Sequence, residues 1–296
     1  MSSCLEQTTK GMKIMLYKQT LKKVSTVFGT VATAFIVQQS IVHAADLPTI
    51  ESGTLLIGSD MTYPPYIQIE DGEPAGFEVE FMNAVAEHMG LEPEYVDTRF
   101  AQLIVGLRSN QFDVIASLLY ITPERAEVID YVPHTQTGSS ILTAIDFADS
   151  PSEPQELCGM RVSSIQGASW IPKLQKVSDE HCVPNDLGTI DIREFATAPE
   201  ATQAILSGAV EAQFADAAVA QLAVEKRNGA LKITSEELIY PIPVGLGINT
   251  ENTELKEAIA SAIEKMKETG EYQEILSAYN LTAPNQDEVE SALSDS

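Results

Sequence analysis

A chain of 296 residues with 43 acidic and 18 basic side chains carries a formal charge of −25. Such a surface repels nucleic acid and anionic lipid, which excludes both as partners and makes the charge a solubility device before a means of steering cationic ligands. With 44% hydrophobic residues, the chain can fill one large domain or two modest ones.

Residues 1–23 hold five lysines against one acid, Glu6, and an uncharged run follows over 24–42. Small residues close it at His43-Ala44-Ala45. A basic start, a short apolar stretch and a small-residue exit predict a secretory signal peptide over 1–44, cleaved after Ala44 or Ala45. The apolar run is too short and too interrupted for a stable membrane span. No cysteine follows the cut, so no lipid anchor is expected, and any of Met1, Met12 and Met15 fits as the start.

Short apolar strands then alternate with helical patterns. Residues 54–58 read as a strand, 79–89 as a helix closed by Gly90, 94–96 as a strand, 101–108 as a helix and 112–117 as a buried strand. After a turn-rich loop at 149–154, the rhythm restarts. Residues 161–165 form a strand, Gly167-Ala168-Ser169 opens a helix, 198–206 is helical and 210–214 is a strand. Two similar α/β lobes follow, each a mostly parallel sheet flanked by helices. Helices at 254–267 and 272–279 end the ordered part, and 283–296 reads as an acidic disordered tail. In such sheets ligands sit beyond the carboxyl ends of strands. Here those ends carry Asp60, Ser117 to Tyr120, Gly167 and Asp216.

Cys4 leaves with the signal peptide, so Cys158 and Cys182 form the only pair in an oxidising compartment, and a disulfide is expected. A metal site with His181 is the rival and lacks a repeated spacing.

Four strings carry a resemblance. Gly76-Phe77-Glu78-Val79-Glu80-Phe81, Ser117-Leu118-Leu119-Tyr120-Ile121-Thr122-Pro123-Glu124-Arg125, Ile165-Gln166-Gly167-Ala168-Ser169 and Phe214-Ala215-Asp216 occur in order. Together they resemble the blocks of family 3 bacterial extracellular solute-binding proteins, over residues 46–280. The resemblance implies a two-lobed periplasmic-binding-protein fold that closes on a small zwitterion and delivers it to an ABC permease in the inner membrane. Lobe one would comprise 46–138 plus 243–282, lobe two 139–242, with hinge crossovers near Thr137-Gly138-Ser139 and Pro241-Ile242-Pro243. A periplasmic monomer without cofactor or metal is implied.

By the same resemblance Arg125 clamps the ligand's carboxylate, as a planar guanidinium suits paired acceptors. The plainer alternative is a surface pair with Glu124 or Glu127. Ser169 would add backbone N–H groups at a helix start, or serve as an ordinary cap. Asp216 would hold the ammonium, or cap the helix at 217–226, and Ser117 would share that ammonium. Tyr63 and Phe100 would stack on the ligand's side chain, or pack in the core. Asp60 would meet a polar ligand tail, or cap the turn at Thr62-Tyr63-Pro64.

Departures from the family pattern are Leu118, where relatives usually carry Gly or Ser, and Tyr120, where they carry Ser or Thr. One hydroxyl contact to the ammonium would be lost or lengthened, and Leu118, Tyr120 and Trp170 would wall the pocket. Aromatic faces suit a cation with spread charge, so a betaine or an ectoine-like solute rivals an amino acid. Some relatives with this fold are dehydratases, and a sensor of a membrane receptor is a further alternative. The sequence contains no Gly-rich phosphate loop, HExxH or GxSxG, and no catalytic role is assigned.

Overall fold

In the computed structural model, residues 47–294 are described. The signal peptide expected over 1–44, with its cleavage site, lies outside the described residues. The first part of the chain runs β1 (Thr54–Ser59), the short hairpins β2 (Thr62–Tyr63), β3 (Ile67–Glu70) and β4 (Glu73–Ala75), α1 (Phe77–Met89) and β5 (Glu92–Asp97). It continues with α2 (Leu103–Arg108), β6 (Val114–Ile115) and α3 (Pro123–Ala126). A 15-residue strand, β7 (Asp130–Ala144), leads to β8 (Arg161–Ile165), α4 (Ile171–Val177), β9 (Asp191–Phe195), α5 (Ala198–Leu206), β10 (Ala212–Asp216) and α6 (Ala217–Lys226). After β11 (Leu231–Ile233), the strand β12 (Ile239–Ile248) returns, and α7 (Thr253–Thr269), α8 (Glu271–Ala278) and α9 (Gln286–Ser294) close the chain.

Nine of the twelve strands form one curled sheet in the order β5-β1-β6-β12-β7-β10-β8-β9, with β11 beside β7, and β2-β3-β4 form a separate three-stranded sheet. At one end β1 pairs parallel with β5 and β6; at the other β8 pairs parallel with β9 and β10. The two ends are therefore built alike, as the repeated rhythm implies. Between them β7 and β12 run antiparallel to each other and to their neighbours. Ser139 faces Ile239 and Thr137 faces Ile242, with a register shift between the two pairs. Neither long strand has a legible period. Buried polar residues (His134, Thr135, Thr137, Ser139) interrupt β7, and Gly245 and Gly247 punctuate β12.

Helix α1 begins where the first family string begins, and Gly76 is the reason. Its φ is +113°, and a Cβ there would lie 2.6 Å from the Tyr66 carbonyl oxygen. Only glycine lets the chain turn this close to the 65–66 backbone. The helix buries Phe77, Phe81, Met82 and Val85 on one face. Helix α7 meets that face with Leu255, Ile259, Ile263 and Met266, at the spacing of an amphipathic helix.

Three expectations change at element ends. The strand expected at 112–117 shortens to two residues, because the Asp113 carboxylate turns back to accept the Ile50 and Leu56 amides. The helix expected to open at 167–169 starts at Ile171. The expected disordered tail contains α9 instead. Asn285 and Glu288 cap each other reciprocally, with side-chain-to-amide bonds of 2.8 and 2.9 Å, and the Thr282 carbonyl accepts the Gln136 amide of β7.

Cys158 and Cys182 form a disulfide, which removes the metal reading of this pair. It closes a loop around α4. Replacing both cysteines with serine is expected to lower stability by ~3 kcal/mol through unfolded-state entropy. Urea unfolding measures it, and an unchanged midpoint would contradict that account.

Candidate functional site

The carboxyl ends of β1, β6, β8 and β10 converge on a crevice between the two ends of the sheet. Seven of the ten candidate residues line it: Tyr63, Phe100, Leu118, Tyr120, Arg125, Ser169 and Trp170. The free space there is about 10 Å³, roughly one water. Asp60, Ser117 and Asp216 stand behind that lining.

Arg125 is carried by α3, whose start is fixed by the Thr122 hydroxyl accepting the Arg125 amide. Its guanidinium donates to the Tyr120 carbonyl at 2.9 Å and to the Gly167 carbonyl at 3.0 Å. The two acceptors belong to opposite ends of the sheet. Its Cζ lies 5.5 Å from the Phe100 ring centre. Neither Glu124 nor Glu127 pairs with it, and among the described residues no carboxylate lies within 4 Å of it. Burial pulls its pKa below the usual arginine range, though it stays charged at any ordinary pH.

Asp216 is fully buried at the end of β10. Oδ1 accepts from the Tyr66 hydroxyl (2.7 Å) and from the Ala218 amide (3.0 Å), so the helix-capping role is real. Oδ2 accepts from the hydroxyls of Tyr120 (2.7 Å) and Thr137 (2.9 Å). Burial raises the Asp216 pKa; the bonds from Tyr120, Tyr66, Thr137 and Ala218 pull against it without reversing it. Burial first, and the Asp216 charge second, hold the Tyr66 and Tyr120 phenols well above their usual range. Both remain O–H donors.

Tyr120 makes a contact that the sequence reading does not include. The sequence reading has a hydroxyl lost or lengthened at this position, whereas the phenol spans the crevice and reaches Asp216 itself. Trp170 packs edge-on against Tyr120 at 5.6 Å and donates its indole N–H to Ser164. Ser169 precedes α4 by two residues and is not its cap, which is Trp170. Tyr63 stacks on Tyr66 at 6.2 Å while still facing the crevice.

Asp60 makes the contacts of its plainer reading, and Ser117 bonds Asp60. The Asp60 carboxylate accepts the Thr62 amide and hydroxyl and the Phe100 amide, and pairs with Arg99 at 3.0 Å. It caps the turn and is internally neutralised. The Ser117 hydroxyl accepts the Asp60 amide at 3.1 Å and makes no bond to Asp216.

Leu118 has φ +48°, a left-handed conformation costing a branched residue about 1 kcal/mol. The buried Glu78 holds it there by accepting its amide at 2.7 Å. His134, clasped between the Phe77 and Phe81 rings, bonds the other Glu78 oxygen at 3.2 Å. The glutamate of the first family string therefore shapes the loop of the second. Tyr66, Thr137, Glu78 and His134 escape a reading based on strand ends; the buried polarity of β7 is the signal that points to two of them.

The sequence profile of bacterial extracellular solute-binding proteins, family 3, matches residues 55–282. The chain belongs to this family. Among its relatives, the L-cystine-binding protein TcyJ of Escherichia coli (strain K12) is 28% identical, over 83% of this chain and 91% of its own length. The arginine-binding protein ArgT of Corynebacterium glutamicum is 25% identical, over 78% and 75%. Among solved structures, an ancestral arginine-binding protein bound to arginine superposes with a TM-score of 0.70 at 30% identity, covering 77% of this chain and 98% of that one. The ancestral amino acid-binding protein AncCDT-1, a precursor of cyclohexadienyl dehydratase, does so with 0.65 at 27% identity, over 77% and 95%. A periplasmic-binding-protein fold and a solute-binding role follow from the family. Its strand-end crevice is where Arg125 and Asp216 stand.

Proposed function

We propose that this solute-binding protein captures an amino acid or a related zwitterion, betaine or ectoine-like, between two lobes and delivers it from the periplasm to an ABC permease. The lobes are 46–138 plus 243–282, and 139–242. They rotate about β7 and β12 near Thr137-Gly138-Ser139 and Pro241-Ile242-Pro243, and the crevice opens to admit the ligand.

One observation carries the reading. In a chain with 43 acidic residues, Arg125 has no carboxylate partner within 4 Å among the described residues, and it sits at a crevice backed by a buried aspartate. A ligand carboxylate supplies the missing partner, and its cationic end offsets Asp216. Relatives named for binding cystine, arginine and histidine support this choice of ligand class. They also favour binding without turnover over a dehydratase, and conversion of a cyclohexadienyl acid by the purified protein would reverse that preference.

The test is a thermal-shift screen of amino acids, betaines and ectoines, read together with emission from Trp170, the single tryptophan. A ligand at 100 times its Kd is expected to stabilise by ~2.7 kcal/mol. Because Trp170 lines the crevice, its emission shifts at the same concentrations. No stabilisation by any zwitterion would sink the reading.

A further inference from the structure

The Asp216 carboxylate behind the crevice has no acceptor capacity left, and those of Glu78 and Asp60 are already engaged within the protein. A carboxylate offers about four lone-pair sites, and four donors occupy those of Asp216: the hydroxyls of Tyr66, Tyr120 and Thr137 and the Ala218 amide. Both Glu78 oxygens are engaged by Leu118 and His134. Those of Asp60 are engaged by Thr62, Phe100 and Arg99. The nearby Tyr120 and Gly167 carbonyls receive Arg125.

A primary or secondary ammonium brings N–H groups that each need an acceptor. To bond Asp216 it must displace a phenol onto a longer, weaker partner, the Gly138 carbonyl at 3.4 Å for Tyr120 or the Thr137 hydroxyl at 3.3 Å for Tyr66, an unfavourable exchange. A nitrogen without N–H brings positive charge and nothing to pair. What the crevice offers such a cation is aromatic: Tyr63, Tyr120 and Trp170, the Phe100 ring already lying under Arg125. Ring faces attract cations of this kind electrostatically and require no hydrogen bond. The Asp216 charge behind them adds attraction across space.

Resting on the zwitterion reading above, we infer that the ligand's cationic centre carries no N–H. The ligand class is an N-permethylated, betaine-type carboxylate. Its carboxylate meets Arg125, and its methylated cation separates the Tyr120 and Trp170 rings while leaving the bonds on Asp216 intact.

Calorimetric titration of the unmodified protein with matched pairs tests this: glycine and N,N,N-trimethylglycine, proline and N,N-dimethylproline, histidine and its Nα-trimethyl derivative. The methylated member of at least one pair is expected to bind about tenfold or more tighter than its parent amine, equivalent to about 1.4 kcal/mol. A parent amine that binds as tightly or more tightly in every pair overturns the inference and leaves the zwitterion reading standing. No binding by either member of any pair overturns the inference, while the zwitterion reading falls only if the wider thermal-shift screen also finds no ligand. Tyr66→Phe, which removes one donor from Asp216 and keeps the ring, is expected to narrow the preference about threefold or more by freeing an acceptor. An unchanged preference in a folded Tyr66→Phe protein overturns the inference as well.

Discussion

Arg125→Ala is expected to weaken ligand binding by at least about 100-fold, or about 2.7 kcal/mol, because a carboxylate that loses its guanidinium in a closed crevice is left desolvated and unpaired. The cost to the fold is small. Among the described residues the Arg125 guanidinium donates to the Tyr120 and Gly167 carbonyls alone. The Gly167 carbonyl lines a recess of about 640 Å³ that shares Arg125, Ala168 and Ser169 with the crevice, so water can replace its lost donor, and the Tyr120 carbonyl keeps the Tyr131 hydroxyl at 3.3 Å. Removing a partly buried cation also relieves its own desolvation. The melting temperature is expected to stay within about 4 °C of the parent, the shift of about 1 kcal/mol in a domain this size. Calorimetry and thermal unfolding on the same preparation check both halves. Retained affinity would remove Arg125 from the clamp, and a large drop in melting temperature would make it a structural latch between the lobes.

The legible parts of the molecule are those where one periodicity runs uninterrupted. The strand at 161–165 and the helices at 198–206 and 217–226 appear with the bounds read from sequence, because each is a clean run bounded by a cap or a turn. Of the seven candidates that meet in one crevice, Leu118 and Tyr120 follow from a strand end, whereas Tyr63, Phe100, Arg125 and Ser169 rest on the family resemblance and Trp170 on its place beside Ser169. The crossover strands were harder to read. In β7, Thr137 and His134 are polar yet buried, and their partners Asp216 and Glu78 lie 79 and 56 residues away. No local pattern encodes such pairings. Tyr66 is a similar case, a lone ring after two prolines whose hydroxyl meets a carboxylate 150 residues on. In α9 the helix-start signature Asn285-x-x-Glu288 is present, and acidic composition masks it. Leu118 shows the opposite relation. Where the resemblance expects Gly or Ser, Leu118 takes a left-handed backbone, and the strain is held by Glu78 of the first string, which accepts the Leu118 amide.

Asp216→Asn is expected to separate binding from stability. On the proposed reading the buried Asp216 carboxylate faces the cationic end of a ligand from behind the aromatic lining, so neutralising it should cost about 100-fold or more in affinity. The fold responds in the other direction. Asparagine is isosteric, its carbonyl oxygen can keep the Tyr66 and Ala218 donors, and its amide can donate to the rotatable hydroxyls of Tyr120 and Thr137. What disappears is a buried anion. Because burial raises the Asp216 pKa above the usual 3.8, the native state binds this proton more tightly than the unfolded chain does. The stability tied to the protonated group is fully present below pH 3.8 and is lost as pH rises through the elevated native value. At neutral pH the aspartate therefore weakens the fold, and Asp216→Asn is expected to gain about 1 kcal/mol, or about 2–4 °C in melting temperature. The gain should shrink toward acid pH, where the parent's carboxylate takes up its proton. Melting curves of both proteins from pH 3 to pH 8 test the claim. A loss of stability of equal size at every pH would mean that the four hydrogen bonds outweigh desolvation, and that the site carries its charge without cost to the fold.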